Sequence, residues 1–382
     1  MDFAALFSKT YAESRRKFRE SLQQVQQLWP EAEIRSHHIG KPEDDLAVEI
    51  IAAPALKQPY RAILLTTGQH GIEGYIGTAA AALFRNVYLE KLDPADTGLY
   101  MVHAINPWGM EHKRRTNENN VDLNRNFVYD WDSLNPLFNR RYDRANSFLN
   151  PASPAGKGSK AAFYAGLAGQ ILFLGIKGFK EATLLGQYRY PKGIYYGGRN
   201  YEKSALIMID LFKELATSYS RLLILDMHSG YGPRYQMTIV NSMHEPRPSE
   251  KLQQAFNYPL VAKTNPDEFY AMGGDMIDYF YKPAEKDFPG LSFYGTSFEF
   301  GTMGESLPAV IRSLKAMIDE NKLYHYGAVS PEAEQKTRNV FQELFFPEEE
   351  RWREKALEDA RQAFSGILDS EGYRVEEKFA RK

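Results

Sequence analysis

The sequence predicts an α/β protein of three layers, α/β/α, in which helices cover both faces of a central mixed, mostly parallel sheet. Continuous apolar runs of strand length recur along the chain, as expected of strands that are buried on both faces. Helix-like stretches separate most of these runs, and strands that alternate with helices are typical of this fold class. Of the 382 residues, 43% are hydrophobic and 25% are charged, which is ordinary for a folded globular protein. A disordered or fibrous chain is therefore excluded.

The predicted elements follow one another along the chain. The N-terminal residues predict an amphipathic helix from about Ser14 to Leu28. Apolar or β-branched runs predict six strands, at Asp45–Ala53, Arg61–Thr67, Leu99–Ile105, Arg221–Met227, Gln236–Ser242 and Thr296–Phe300. Helical patterns lie between them, notably at Tyr75–Leu92, Tyr201–Ser218 and Leu307–Asn321.

Changes in composition divide the chain into three parts. Residues 1–40 predict an N-terminal helical segment, residues 41–330 the main domain, and residues 331–382 a charged helical C-terminal extension. Residues 129–200, rich in Asn, Pro, Gly and Tyr, predict an insertion in the main domain. Within it, Ala161–Ile176 are uncharged but fall short of the roughly 20 apolar residues that a membrane span needs. They predict a buried helix.

Charge and cysteine content limit the partners and the chemistry. The chain has 47 Lys and Arg against 49 Asp and Glu, so its net charge is −2, without the basic excess of a nucleic-acid binder. It has no cysteine, which excludes disulfides, thiolate metal sites and a cysteine nucleophile. The N-terminal residues lack the apolar core of a secretory signal. We expect a cytoplasmic protein with neither nucleic acid nor membrane as a partner, and the sequence leaves its oligomeric state open.

Polar residues follow the predicted strands at the point where each strand ends. His70 and Glu73 follow one strand, Asn106 and His228 follow two others, and Glu299 lies within the last. In α/β sheets, ligands bind beyond the carboxyl ends of the strands. Two His and one Glu with an open coordination position are a common catalytic zinc set.

Each of these signals has an ordinary explanation as well. An H-x-x-E pattern is expected by chance in a chain with eight His, and it can be no more than a polar turn. A single His after a strand is often structural. Asp226 lies on the same strand face as His228, where it can accept a hydrogen bond from that His or remain a solvated carboxylate. The position of both motifs directly after buried strands favours the metal site.

A segment rich in Asn and Arg, Arg114–Phe127, is the most distinctive part of the chain. It has too many polar side chains for a packing element, and it is either a polar surface loop or part of a site. Two or three guanidinium groups near a metal suit an anionic substrate and a developing oxyanion.

The motifs and their order resemble the zinc carboxypeptidase family of metallopeptidases, which includes the aspartoacylase and succinylglutamate desuccinylase branch. The family pattern is H-x-x-E, N-P-x-G, R-x-N-x-x-x-V-D-L-N-R-N-F, a His at a strand end and a late Glu. Five matches occur in this order between Ile63 and Thr302, and they are His70–Glu73, Asn106–Gly109, Arg115–Phe127, His228 and Glu299. The N-terminal helix, the insertion and the residues after Ser330 lie outside the resemblance.

The resemblance implies that residues 41–330 are a zinc-carboxypeptidase-like catalytic domain with one zinc ion per chain. Its ligands would be His70, Glu73 and His228, and Glu299 would be the general base. Arg115 would polarise the scissile carbonyl, and Arg114 would take that role if the register shifts by one residue.

The resemblance also implies residues that bind the substrate. Asn124 and Arg125 would hold its terminal carboxylate. Tyr270 resembles the family's substrate-capping tyrosine, although it can equally be a surface aromatic. Ile277, directly before Asp278, would line the pocket for the terminal side chain, unless it is only a core residue.

The implied function is a zinc-dependent hydrolase that cleaves an amide bond next to a free carboxylate. The first candidate is a metallocarboxypeptidase that acts on the C-terminal residues of small peptides. The alternative is an N-acyl amino acid deacylase that uses the same residues, since the insertion could restrict the cleft to small substrates. A third hypothesis is a binding protein on the same fold without catalytic activity.

Overall fold

The computed structural model describes residues 2–135, 137–158, 160–264 and 273–374. These residues form one eight-stranded sheet in the order β1-β2-β4-β3-β5-β8-β6-β7. The strands are β1 (Glu33–His38), β2 (Ala47–Ala53), β3 (Arg61–Thr67), β4 (Thr97–His103), β5 (Arg221–Gly230), β6 (Met237–Asn241), β7 (Val261–Lys263) and β8 (Ser292–Gly301).

The helices of the described residues cover both faces of this sheet. They are α1 (Tyr11–Glu20), α2 (Leu22–Gln26), α3 (Gly74–Tyr88), α4 (Pro107–Glu111), α5 (Arg140–Leu149), α6 (Lys160–Leu184), α7 (Lys203–Ser218), α8 (Ser249–Phe256), α9 (Met276–Lys286), α10 (Leu307–Tyr326), α11 (Pro331–Phe345) and α12 (Glu350–Ser370). Residues of α1, α3, α8 and α12 share one apolar core with the sheet, while α7 and α9 share a second core with it.

The four central strands, β4, β3, β5 and β8, run parallel to one another. The β6–β7 pair is also parallel, whereas β1–β2, β2–β4 and β6–β8 are antiparallel. The predicted α/β/α fold with a mixed, mostly parallel sheet is confirmed. Because the central strands are parallel, their carboxyl ends meet at one edge of the sheet.

All six predicted strands are present, and two further strands were not predicted. The edge strand β1 (Glu33–His38) is polar and largely exposed, and it lies within the segment that the sequence predicted to be helical. The three residues of β7 give too short a pattern to recognise. The predicted N-terminal helix is two helices, because α1 ends at Glu20 and α2 begins at Leu22.

The prediction that Ala161–Ile176 form a buried helix is wrong. The residues lie in α6, where only 17% of the most apolar stretch of Lys160–Phe179 is buried. Leu172 is 90% exposed and Phe173 is 69% exposed. By length and composition alone, this is the one helix of the described residues that could cross a membrane. The apolar run correctly indicated that α6 has apolar surface on all sides. In the structure, however, only one side of α6 packs against other helices.

The C-terminal helices are part of the main body of the protein. The Trp352 indole N–H on α12 donates to the Gly301 carbonyl at the end of β8, 2.8 Å away. The Tyr373 hydroxyl donates to the Ala62 carbonyl of β3 at 3.3 Å. Helix α12 therefore covers a face of the sheet.

Candidate active site

Three buried side chains meet beyond the carboxyl ends of β3 and β5. His70 follows β3 and directly precedes a short 3-10 turn, Gly71–Glu73, which brings Glu73 to the same side. His228 lies near the carboxyl end of β5, directly opposite Glu299 of β8 in the strand register. The parallel arrangement of these strands therefore places all four side chains at one edge.

Close backbone packing holds the turn that carries His70. A Cβ atom on Gly71 would lie closer than 3.0 Å to the backbone of Gly109. The amide groups of Gly71 and Ile72 donate to the carbonyl oxygens of Arg115 and Arg114, at 3.2 and 2.9 Å. Only glycine allows this approach, so the glycine beside the H-x-x-E motif has a structural cause.

The N-P-x-G motif supports the same packing. The Asn106 side chain caps α4 by accepting from the Gly109 amide at 2.8 Å, and it donates to the Arg115 carbonyl at 3.2 Å. Asn106 thus fixes the loop that carries the arginines.

The two His rings and the Glu carboxylate converge through specific atoms. The Nδ1 atom of His70 lies 2.9 Å from Glu73 Oε1 and 3.2 Å from His228 Nδ1. The Nδ1 atom of His228 lies 3.1 Å from Glu73 Oε2. All three residues are at most 3% exposed. Zinc with ligands about 2.0–2.1 Å away has tetrahedral ligand–ligand separations of roughly 3.3 Å, so the group fits a zinc ion with little adjustment.

The remaining ring nitrogens contact carboxylates. His70 Nε2 lies 3.0 Å from Asp122 Oδ1, and His228 Nε2 lies 2.7 Å from Asp226 Oδ2. A carboxylate on the far nitrogen fixes the ring and its tautomer, as is usual for metal-binding His. Asp226 thus contacts His228, as the sequence analysis allowed. The contact of Asp122 with His70 was not predicted.

The ionisable groups of the centre formed by His70, Glu73 and His228 lie close enough to shift one another's pKa values. Burial alone would raise the pKa of Glu73, but the His70 and His228 rings beside it lower it to about 2. Burial would also raise the pKa of Asp122, and the Arg115 guanidinium with His70 holds it well below its usual range. Against the effect of burial, Asp226 and Glu73 raise the pKa of His228 well above its usual value. The centre therefore keeps ionised carboxylates in a buried place, as a cation site requires.

Glu299 lies beside this centre and faces the same cavity. Its Oε1 accepts from the Tyr231 amide at 2.9 Å. Removal from bulk solvent, together with the negative charge of Glu73, raises the pKa of Glu299 to about 8. A carboxylate with this environment can exchange a proton near neutral pH.

Of the two candidate arginines, Arg115 faces the centre and Arg114 does not. The Arg115 guanidinium contacts Asp122 Oδ2 at 2.9 Å and Glu73 Oε1 at 3.2 Å. Arg114 pairs instead with Glu320 at 2.6 Å and stacks on Tyr324 at 3.5 Å. Arg114 therefore anchors α10 to the loop.

Asn124, Arg125 and Ile277 also line the cavity. Asn124 Oδ1 accepts from the Met276 amide at 3.1 Å. The guanidinium of Arg125 donates to the carbonyls of Asn124 and Leu184, at 2.7 and 2.9 Å, and the residue is 1% exposed. Ile277 is buried in α9 and belongs to the second core as well. Tyr270 lies outside the described residues.

The cavity has a volume of about 450 Å³, within the usual range of small-molecule sites. Parts of the chain outside the family resemblance also contribute to its wall. The insertion contributes Phe179, Thr183, Leu184 and Tyr195, and the C-terminal extension contributes Leu344 and Phe345. The insertion therefore forms part of the cleft wall.

Tyr195 is a cavity residue that the sequence did not reveal. Its φ angle is +58°, which is costly for a residue other than glycine. Hydrogen bonds to two successive carbonyls hold this conformation, because the Gln187 amide donates to the Tyr195 carbonyl and the Asp122 amide donates to that of Tyr196. Strained residues of this kind cluster at functional sites. No sequence signal marks them, because a single tyrosine in a chain with 24 carries no information.

Comparison with known proteins finds one family and several solved structures with a similar fold. Residues 7–359 match the model of a family described as "Protein of unknown function (DUF2817)". No curated protein matches the sequence. Bovine thrombin-activatable fibrinolysis inhibitor is 15% identical, with a TM-score of 0.43 over 82% of this chain and 95% of that one. Carboxypeptidase A from Helicoverpa armigera is 15% identical, with a TM-score of 0.45 over 86% and 73%. A succinylglutamate desuccinylase from a Silicibacter species is 15% identical, with a TM-score of 0.35 over 77% and 67%.

Proposed function

The chain belongs to the DUF2817 family, and from its site we propose that it is a zinc-dependent hydrolase that cleaves an amide bond next to a free carboxylate. One observation carries this proposal. His70, Glu73 and His228 converge on a single point that faces the cavity, and Glu299 and Arg115 flank that point. These are the groups that hydrolysis of an amide needs: a metal site, a base and a cation for the oxyanion.

The residues of the chain would divide the chemistry among them. A bound zinc ion would supply Lewis acidity and lower the pKa of water to about 7. Its positive charge would also lower the pKa of Glu299 from about 8, so that this carboxylate is ionised at neutral pH. Glu299 would then accept the proton of the attacking water and return it to the leaving amine. Arg115 would stabilise the negative charge that develops on the carbonyl oxygen.

Arg125 and Asn124 would select the bond that is cut. A guanidinium fork can hold a carboxylate through two parallel hydrogen bonds and so fixes its distance from the metal. Arg125 lies at the cavity wall with little contact to bulk water, which strengthens such a pair. The amide bond nearest the terminal carboxylate would then reach the metal.

A carboxypeptidase acting on small peptides is the first candidate. An N-acyl amino acid deacylase is the second, since a cavity of about 450 Å³ has room for a substrate of that class as well. A binding protein without activity would have no need of Glu299 beside the metal group, which argues against that hypothesis.

The decisive experiment combines metal analysis with a substrate screen. Mass spectrometry of the purified protein should find one zinc per chain, and His228→Ala should lose it. Blocked dipeptides and N-acyl amino acids are then compared as substrates of the loaded protein. A variant at His228 that keeps stoichiometric zinc would refute the ligand assignment, and zinc binding without hydrolysis of either class would refute the activity.

Substrates with a free or a blocked terminal carboxylate test the role of Arg125. Conversion of the carboxylate to an amide removes the charge that a buried arginine would bind, at a cost on the order of 2–5 kcal/mol, so the amide should be cut at least about tenfold more slowly. Ile277 offers no charge to a substrate, so peptides ending in Phe or Leu should be cut faster than those ending in Lys or Glu. Equal cleavage of acid and amide contradicts the role of Arg125, and faster cleavage of the charged peptides contradicts that of Ile277.

A further inference from the structure

The outer side of α6 exposes more apolar surface than any other helix of the described residues. Tyr164, Leu172 and Phe173 are 54%, 90% and 69% exposed, and Ile176 just after them is 63% exposed. Tyr164 lies about two helical turns before Leu172, Phe173 follows directly, and Ile176 comes just after Gly175, where the helical backbone is interrupted (φ +72°, ψ 163°). Exposed apolar residues grouped into a patch of this kind mark an interaction surface, whereas single scattered ones are ordinary.

The inner side of α6 is fully used in packing. Leu167 and Phe179 are buried against Tyr142 and Leu149 of α5 and against Leu314 of α10. Rotation of the helix to bury its outer side would expose these residues instead. The outer side therefore needs an occupant from outside the described chain.

The charges of the segment that carries the patch indicate the nature of this occupant. Residues 137–180 contain seven Lys and Arg but one acidic residue, while the whole chain has a net charge of −2. That carboxylate, Asp143, pairs with Arg189 at 3.1 Å, and Glu181, just beyond the segment, pairs with Arg141. The Arg144 guanidinium lies 5.7 Å from the Phe173 ring, so a positive charge adjoins the patch directly. The described basic side chains of the segment are all exposed, and they are Arg140, Arg141, Arg144, Lys157, Lys160 and Lys177.

We propose that α5 and α6 form a peripheral membrane-binding edge, comprising the apolar residues Tyr164, Leu172, Phe173 and Ile176 and the basic residues around them. Its occupant is a bilayer surface with anionic headgroups. A helix with exposed Leu and Phe and with Lys and Arg nearby lies in the headgroup region, where its apolar side enters the acyl boundary. Each basic residue near an anionic surface adds roughly 1 kcal/mol to such binding. The contact is peripheral and does not require α6 to cross the bilayer.

This proposal replaces the expectation that a membrane is not a partner of the chain. That expectation assumed that Ala161–Ile176 are buried, whereas Leu172 and Phe173 face outward. After the break at Gly175, α6 continues to the cavity. Thr183 and Leu184 at its C-terminal end line the cavity, and the Leu184 carbonyl accepts from Arg125. The helix that carries the edge thus also contributes residues to one wall of the site.

Co-sedimentation with vesicles tests the proposal without a substrate. The full chain should bind vesicles of phosphatidylcholine mixed with phosphatidylglycerol and should bind pure phosphatidylcholine vesicles far less. The double variant Leu172→Gln/Phe173→Gln should bind the mixed vesicles about 100-fold more weakly, since each side chain gives up its transfer to the acyl region. Lys177→Glu should weaken binding by at least about fivefold, which corresponds to the loss of one basic residue.

Leu206→Gln is the matched control, because Leu206 is an exposed leucine, 44% exposed, on α7. It should bind like the unchanged protein. Equal binding by the double variant and the control, or equal binding to both kinds of vesicle, would overturn the proposal. So would light scattering that shows a dimer which the double variant converts to a monomer, without any vesicle binding, because the edge would then be an interface between two copies of the chain.

Discussion

Replacement of Gly71 by alanine should separate the effect of local backbone packing from that of metal ligation. The added Cβ atom would meet the backbone of Gly109 and Met110 at less than 3.0 Å. Neither contact involves a side chain that can rotate away, and the nearest backbone atom would be 2.0 Å from the Cβ, so the two backbone segments must move apart by about 1.5 Å to restore normal contact distances.

The loss of stability can be estimated from the contacts that this movement disturbs. Overpacking of a rigid site costs about 1–3 kcal/mol. The movement also strains two backbone hydrogen bonds, from Gly71 to Arg115 and from Ile72 to Arg114, each worth about 1 kcal/mol. We therefore expect a loss of roughly 3–5 kcal/mol in the free energy of unfolding. Zinc affinity should fall at least about tenfold, because the displaced turn holds His70 and Glu73.

Urea unfolding of the metal-free protein measures the stability, and titration calorimetry measures zinc binding. Gly74→Ala is the matched control three residues away. Its Cβ would meet the flexible Met110 side chain, which can move, and alanine is favoured over glycine in a helix by about 1 kcal/mol. The control should stay within about 1 kcal/mol of the unchanged protein. If Gly71→Ala also changes the stability by less than about 1 kcal/mol and binds zinc with unchanged affinity, the close contact between Gly71 and Gly109 does not hold the site.

Three further predictions concern Asp122 and Glu299 of the candidate active site and the buried His103 of β4. Asp122→Asn replaces the charged carboxylate that faces His70 Nε2 by a neutral amide and should lower zinc affinity by about 10–100-fold in calorimetry. Unchanged affinity would mean that the charge of Asp122 does not support the ring as a ligand. Glu299→Gln should keep zinc and stability but lose at least about 100-fold in kcat, and a near-normal rate would place the base elsewhere. Burial lowers the pKa of His103 from 6.5 to about 4, so the unfolded chain binds a proton that the folded chain does not as pH falls below 6.5. Stability should therefore fall by about 3 kcal/mol between pH 6.5 and 4. His103→Gln should reduce this slope in urea unfolding, and an equal slope in both proteins would contradict the role of His103.

The sequence predicted the centre of the sheet well because its strands are buried on both faces. Arg61–Thr67 and Arg221–Met227 are continuous apolar runs, and the polar residues directly after them had to lie at one edge. The strand β1 was missed because an edge strand is held mainly by backbone hydrogen bonds, which leave no apolar pattern.

The remaining features depend on contacts between distant parts of the chain. Arg114 and Arg115 are neighbours in sequence, and Arg114 turns away from the site toward Glu320 and Tyr324, which are more than 200 positions away. The exposure of α6 could not be predicted because an apolar pattern does not say what covers it. The positive φ angle of Tyr195 could not be predicted, because tyrosine as a residue type does not favour this backbone conformation.

The position of α12 has a consequence for the order in which the protein reaches its structure. The Tyr88 hydroxyl donates to the Arg361 carbonyl, 273 positions away, and Phe364 packs against Phe84 and Phe298 in the same core. Such contacts form only after most of the chain has left the ribosome, and contacts of long sequence separation form slowly. Until then, one apolar face of the sheet has no cover from α12. A growing chain in this state is prone to aggregation, and its yield in a cell would depend on chaperones that shield that face.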